Sequence, residues 1–206
     1  MIWLNFNLWI DSLTKPVPTF KKEAKNANLA EGALHMAVAG VVTGFITGLY
    51  YMIFGSTITS QIFPLASGFT GATFFIISLI ATPIYTVIAW LIGSGILYIF
   101  ALLFGGKGDY KTQSYLYAIY SAPLGIITTV LLLIPFLGIF LALLVAIYGL
   151  YLLTMVLKEA HKYTTGRAVL TWLVPIGIIV LIVIVLAGLA FMFLLGAFVN
   201  GTGSIF

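Results

Sequence analysis

Two pairs of residues in this chain have the types and spacing to ligate a metal ion. Glu31 and His35 stand four apart and share a helix face, and Glu159 and His161 form a second pair far along the chain. Carboxylate and imidazole are ordinary zinc ligands, so the four brought together would make a site. A plainer reading is preferred. Glu31 is a first-turn acid, while Lys158, His161 and Lys162 place positive charge at a helix C-terminus, where the macrodipole favours it. No metal and no cofactor are expected.

The segment Gly105-Gly106-Lys107-Gly108-Asp109-Tyr110-Lys111-Thr112 evokes a phosphate-binding loop. That motif needs its lysine followed directly by Ser or Thr at a helix start, and here Gly108 follows Lys107. The segment reads instead as a flexible interfacial turn, with Tyr110, Tyr115 and Tyr117 at headgroup depth. Other chemistries lack their residues. Cysteine is absent, which removes disulfides, thiolate nucleophiles and cysteine zinc sites. No His-Glu-x-x-His signature, paired intramembrane aspartates, or serine with histidine at membrane depth occurs, so an enzyme is not expected.

What must position these residues is a membrane bundle. The 206 residues are 62% hydrophobic and 7% charged, with a mean hydropathy of +1.20, whereas water-soluble domains carry roughly 25% charged residues. A net charge of +4 is too small and scattered to suggest a nucleic-acid partner. All charges fall within Asp11 to Glu31, Lys107 to Lys111 and Lys158 to Arg167. A crossing helix needs about 20 apolar residues, so the uncharged stretches hold two, two and one spans. The expected fold is an all-α integral membrane protein, a bundle of five transmembrane helices with a short interfacial N-terminal segment. Residues 1–31 form that segment and 32–206 the transmembrane domain, with spans near 32–54, 72–104, 113–134, 138–157 and 168–198.

Asn28 with Glu31 offers a capping signal for the first span, which should end before Gly55-Ser56-Thr57, with a polar loop to about Thr70. Pro135-Phe136-Leu137-Gly138 reads as a tight turn between the third and fourth spans. At the N-terminus Ile2, Phe6, Trp9, Ile10 and Leu13 can share one helical face while Asn5, Asp11 and Ser12 look elsewhere. With Trp3 and Trp9 this suits a segment lying flat at the interface. Lys15-Pro16-Val17-Pro18 should end it, with Thr19 capping a second short helix that carries Phe20, Lys21, Lys22 and Lys25. Every Lys and Arg lies on one side of this topology, so that side is expected to be cytoplasmic and the C-terminus outside or lumenal.

Within the spans, Gly40, Gly44 and Gly48 recur every four residues, a pattern that lets another helix backbone approach closely. Gly138, Ala142 and Ala146 form a weaker stripe on the fourth span, and Ala89 with Gly93 another on the second. Pro83, Pro123 and Pro175 each free a carbonyl one turn earlier, at Leu79, Ile119 and Thr171, with Thr82, Ser121 and Thr171 at hand to satisfy them. No Asp, Glu, Lys or Arg lies inside a span, which argues against a proton-driven pump.

Several short motifs, in this order, resemble the Yip family of small membrane proteins. They are Pro18-Thr19-Phe20 before the first span, Gly-Gly-x-Gly-x-Tyr at Gly105, Gly106, Gly108 and Tyr110, Tyr120-Ser121-Ala122-Pro123, and Thr165-Gly166-Arg167-Ala168. The resemblance implies a non-enzymatic five-span protein that recruits partners or organises membrane. It would reside in the endoplasmic reticulum or Golgi of a eukaryote, or in the cytoplasmic membrane of a prokaryote. Eukaryotic members interact with Rab-type small GTPases through a longer N-terminus containing Asp-Leu-Tyr-Gly-Pro. This chain lacks that element, which argues against a small GTPase and aligns it with the compact archaeal and bacterial members.

The function expected is a scaffold or docking platform in membrane organisation or trafficking. Its docking face comprises Gly105, Gly106, Lys107, Gly108, Asp109, Tyr110, Lys111, Lys162 and Arg167. The expected partners are the lipid bilayer, anionic lipid headgroups and a cytosolic protein, with homo-oligomerisation left open. The alternative is a facilitative transporter, channel or lipid-moving protein built on Thr82, Pro83, Ser121, Pro123 and Pro175.

Overall fold

The computed structural model describes the backbone of residues 5–62 and 71–202 and the side chains of residues 5–54 and 71–196. Ile2 and Trp3, and residues 63–70 of the expected polar loop, lie outside the described residues. Seven helices account for most of the chain: α1 Phe6–Thr14, α2 Pro16–Glu23, α3 Leu29–Ile62, α4 Gly71–Leu103, α5 Tyr110–Leu131, α6 Leu137–His161 and α7 Thr165–Thr202, with a 3₁₀ turn Ala24–Asn26 before α3. Among the described residues five helical stretches are long and apolar enough to cross a membrane: Leu29–Phe54, Gly71–Leu103, Tyr110–Leu131, Leu137–His161 and Thr165–Gly196. The protein is a five-span integral membrane protein, as its apolar run lengths require.

Local chemistry sets most helix ends. Asn28 accepts the backbone N–H of Ala30 at 2.9 Å and opens α3. That helix runs to Ile62, past the expected stop at Gly55-Ser56-Thr57. These residues lower helix propensity without removing a backbone donor, so the hydrogen-bond ladder continues. Pro16 starts α2 rather than ending α1's neighbourhood in a loop, because a proline in the first turn has no N–H to waste.

α3 and α4 run antiparallel in backbone contact. A Cβ added at Gly40 would stand 2.4 Å from Pro83 Cα, one at Gly44 2.5 Å from the Ser78 carbonyl, and one at Gly48 2.9 Å from the Phe75 ring. The glycine stripe is therefore a packing face, and Pro83 sits in the crossing. The stripe on α6 is different. Ala142 is half-buried and Ala146 exposed, while a Cβ at Gly138 would meet the Leu131 carbonyl within the turn. The close approach on α6 belongs to Gly149, where a Cβ would lie 2.9 Å from Leu124. Ala142 and Ala146 read as a stripe only because spacing does not report which face meets a neighbour. Gly93 of α4 likewise faces open space.

Packing is concentrated at the end of the bundle that carries the charged residues. There the first half of α5 is enclosed, with Leu116 and Ile119 fully buried beside Phe20, Leu152, Val156 and Leu157, and Ala118 buried beside Trp9, Met36 and Trp90. Burying Phe20 alone contributes about 1.5–3 kcal/mol. At the other extreme, the side chains of α7 from Ile176 to Gly196 are exposed, whereas Ala168, Thr171 and Pro175 before them are buried.

Candidate functional site at the basic end of the bundle

The glycine-rich segment between α4 and α5 is a fixed structural element. Gly105 has φ +81°, the left-handed region that glycine enters freely. Its N–H bonds to the Leu102 carbonyl at 3.0 Å and that of Gly106 to Ala101 at 2.8 Å, a Schellman closure of α4. Asp109 then caps α5, accepting the Thr112 N–H and the Thr112 hydroxyl, each at 2.8 Å. Burial alone would raise the Asp109 pKa, but these two bonds and nearby Lys111 outweigh it and hold the carboxyl below its ordinary value. Tyr110 donates its hydroxyl to the Leu91 carbonyl at 2.9 Å, pinning the start of α5 to α4.

Gly106 and Gly108 are small because the end of α6 lies against them. A Cβ on Gly106 would stand 2.6 Å from His161 Nδ1, and one on Gly108 2.1 Å from the Ala160 carbonyl oxygen. His161 Nδ1 accepts the Gly108 N–H at 3.2 Å, and His161 Nε2 lies 2.7 Å from Gln113 Oε1. Since Nδ1 accepts, the ring proton is on Nε2 and is donated to Gln113. Gln113 Nε2 donates in turn to the Ser94 carbonyl at 2.8 Å. His161 and Gln113 are both fully buried, so this relay locks α4, α5, α6 and the loop together. Sequence reasoning passed over Gln113, although an amide in an apolar helix is a signal that a buried polar partner exists.

Around this rigid loop stand the cations. Lys107, Lys162 and Arg167 line an open cleft of 410 Å³ together with Gly105, Tyr163 and Thr164. Lys162 has φ +52° at the end of α6 and pairs with Glu159. Arg167 lies over Gly105, its Nη1 3.2 Å from where a Cβ would be. Lys107 and Arg167 form no ion pair among the described residues, and Lys111 is exposed one turn away on α5. Tyr163, beside the cleft, has its pKa raised by burial, an effect its bond with Thr171 partly offsets. The structure thus brings Gly105, Lys107, Lys162 and Arg167 together, while Gly106, Gly108, Asp109 and Tyr110 shape the loop beneath them.

The N-terminal segment is docked into the same end. Trp9, Ser12, Thr19 and Phe20 are buried, and Phe6, Ile10 and Val17 are exposed: of the expected apolar face Trp9 packs into the bundle while Phe6 and Ile10 do not, and the polar Ser12 is buried beside it. The cause lies on α5. Pro123 has no N–H for the Ile119 carbonyl, and the Ser12 hydroxyl supplies one: its hydrogen is shared between Ile119 O at 3.0 Å and Trp9 O at 2.8 Å. Ser121, expected to serve that carbonyl, instead donates to Met36 Sδ at 3.4 Å. The Thr82 carbonyl accepts from Thr86 at 2.6 Å, and Thr171, one turn before Pro175, donates to the Arg167 carbonyl at 2.8 Å. These proline sites are engaged in packing and in local bonds.

The two candidate metal pairs are not assembled into one site. His161 has both ring nitrogens occupied, Glu159 pairs with Lys162, and His35 Nδ1 accepts from Trp9 Nε1 at 2.9 Å. Among the described residues no three His, Asp or Glu side chains are placed to share a metal ion.

A family model described as the Yip1 domain matches residues 10–187. No curated protein and no solved structure matches the chain. The match begins within α1 and takes in Ser12, α2, the glycine loop and the cation cleft. On the extent of that match, which covers most of a chain with five helices long and apolar enough to span a membrane among its described residues, the chain belongs to the Yip1 domain family.

Proposed function

We propose that this protein is a non-enzymatic docking platform whose basic end faces the cytoplasm. There it holds anionic groups, either acidic lipid headgroups or an acidic segment of a cytosolic protein. The observation that carries the reading is the cleft of Lys107, Lys162 and Arg167 around a loop fixed from below by His161. A loop already fixed by His161 adds no backbone ordering to the cost of binding an anion, and arginine can offer two parallel donors to a phosphate or carboxylate. The orientation rests on all nine Lys and Arg residues lying at one end. Basic residues near a membrane surface contribute about 1 kcal/mol each toward anionic lipid.

The test replaces Lys107, Lys111, Lys162 and Arg167 by Gln together, in vesicles containing acidic phospholipid. Loss of acidic-lipid enrichment around the protein, or of a cytosolic partner recruited by the wild type, is the expected result. Unchanged lipid enrichment and partner recruitment would remove the reading.

A further inference from the structure

A groove of 380 Å³ lies between α2 and the end of α6, with Val17 and Phe20 on one side and Met155, Lys158 and Lys162 on the other. Met155, Lys158 and Lys162 follow one another at helical spacing on one face of α6. Met155 stands seven residues before Lys162, which places it about 10 Å further into the span along the helix axis. The groove therefore runs from a cationic mouth at the basic end to an apolar end at membrane depth. Lys162 and Tyr163 line the cation cleft as well, so the two openings meet there.

The charges around this joint opening do not balance. Lys107, Lys158, Lys162 and Arg167 line it against one carboxylate, Glu159, which Lys162 already engages. Lys158 is half-buried and has no acidic partner among the described residues. An ammonium drawn partly out of water beside apolar side chains lacks the counter-charge that such burial requires. The occupant must bring anionic oxygen to the cations and apolar surface to Val17, Phe20 and Met155. An extended acidic peptide following the groove to Met155 would carry unpaired backbone groups to membrane depth, whereas an acyl chain has none to satisfy.

We propose that one anionic phospholipid occupies both openings, its phosphate among Lys107, Lys162 and Arg167 and one acyl chain along Val17, Phe20 and Met155. This rests on the docking reading above and names the anion that fills the cleft. It also gives α2 a part in binding: the helix that Pro16 starts supplies one wall of the chain's groove.

The experiment places the full chain in vesicles with one of two photoreactive probes, phosphatidylglycerol or phosphatidylcholine, each carrying the same diazirine-bearing acyl chain. Labelled residues are mapped by mass spectrometry. Ile99, exposed on α4 and outside both openings, is the reference. The phosphatidylglycerol-to-phosphatidylcholine labelling ratio at Val17 and Met155 should exceed that at Ile99 by about fivefold or more. Lys107→Gln with Arg167→Gln, two changes that line the cleft and not the groove, should return the ratio at Val17 and Met155 to the reference. Lys21→Gln with Lys25→Gln removes the same charge elsewhere at the basic end and should leave the ratio high. Equal ratios at all three residues in the wild type overturn the proposal, and this arm varies the lipid and not the protein. So does an equal loss from the two double variants, which marks diffuse charge attraction, or a cytosolic acidic peptide that excludes the probe from Met155. Acidic-lipid enrichment around the protein without preference for the groove removes this inference and leaves the docking reading standing, whereas absence of any enrichment removes the lipid from both.

Discussion

Replacing Ser12 by alanine removes the hydroxyl hydrogen that reaches the Ile119 carbonyl from 107 residues away. Ser12 and Ile119 are both fully buried, so the carbonyl left behind has no water to turn to. An unsatisfied buried acceptor costs about 1–3 kcal/mol. The origin of that acceptor is Pro123, so Pro123→Ala would return a backbone N–H and let α5 satisfy Ile119 within the helix. In that background Ser12→Ala should cost only the shared bond to Trp9 and a small packing loss. The quantity to measure is the coupling in the double-mutant cycle, expected at about 1–2 kcal/mol. The helix-propensity change at Pro123 appears on both sides of the cycle and cancels. Unfolding in mixed micelles of increasing SDS content, followed by far-UV circular dichroism, gives the four stabilities. If Ser12→Ala costs the same within ~0.5 kcal/mol in both backgrounds, the serine does not serve the proline's carbonyl and the docking argument for α1 fails.

Gly108→Ala should destabilise by about 1–3 kcal/mol through overpacking against the Ala160 carbonyl, while Gly125→Ala, facing open space, should be neutral or slightly stabilising in the same unfolding assay. Gly44→Ile should separate α3 from α4 and lower thermal stability in detergent far more than Gly93→Ile, which meets nothing within 4 Å. Single cysteines in this cysteine-free chain at Phe136 and Thr164 should react with an impermeant maleimide from opposite sides of the membrane, Phe136→Cys from outside. Labelling of both from one side would refute the five-span topology. Asp109 has a folded pKa below its unfolded value, so its contribution to stability is present above the ordinary carboxylate pKa and is lost as pH falls through the folded one. Asp109→Asn should flatten that acidic limb of the stability curve, and an unchanged limb would show the cap to be inert.

The spans were legible because hydrophobic run length is a property of neighbouring residues, and the glycine ladder of α3 because its period is local too. Gly105, Gly106 and Gly108 were visible as a motif, yet the reason for two of them is His161 and Ala160, more than fifty residues away. The placement of α1 was not legible. Apolar periodicity groups Phe6, Trp9 and Ile10 on one face but does not single out Ser12, which the bundle buries because a proline on another helix has left a carbonyl that its hydroxyl answers. Ala146 fails for a related reason: small size permits close contact without naming the neighbour. The His35 and His161 pairs drew attention as metal ligands, and what each actually holds is an N–H donor, from Trp9 and Gly108 respectively.

The exposure of α7 beyond Pro175 has a mechanical consequence. Its apolar stretch of 32 residues is about 48 Å long, well beyond a hydrocarbon layer of about 30 Å. A helix held by protein along its length would impose its own depth on the lipid. Among the described residues this one is held at its base, by buried Ala168, Thr171 and Pro175 and by the Trp172 bond to Thr154 at 3.0 Å, while its side chains from Ile176 to Gly196 are exposed. Bilayer thickness therefore sets its lean, as a mast stepped at the deck follows its rigging. Because Arg167 stands at the step, a thinner membrane tilts the helix further and loads the one cation of the cleft that belongs to this last span.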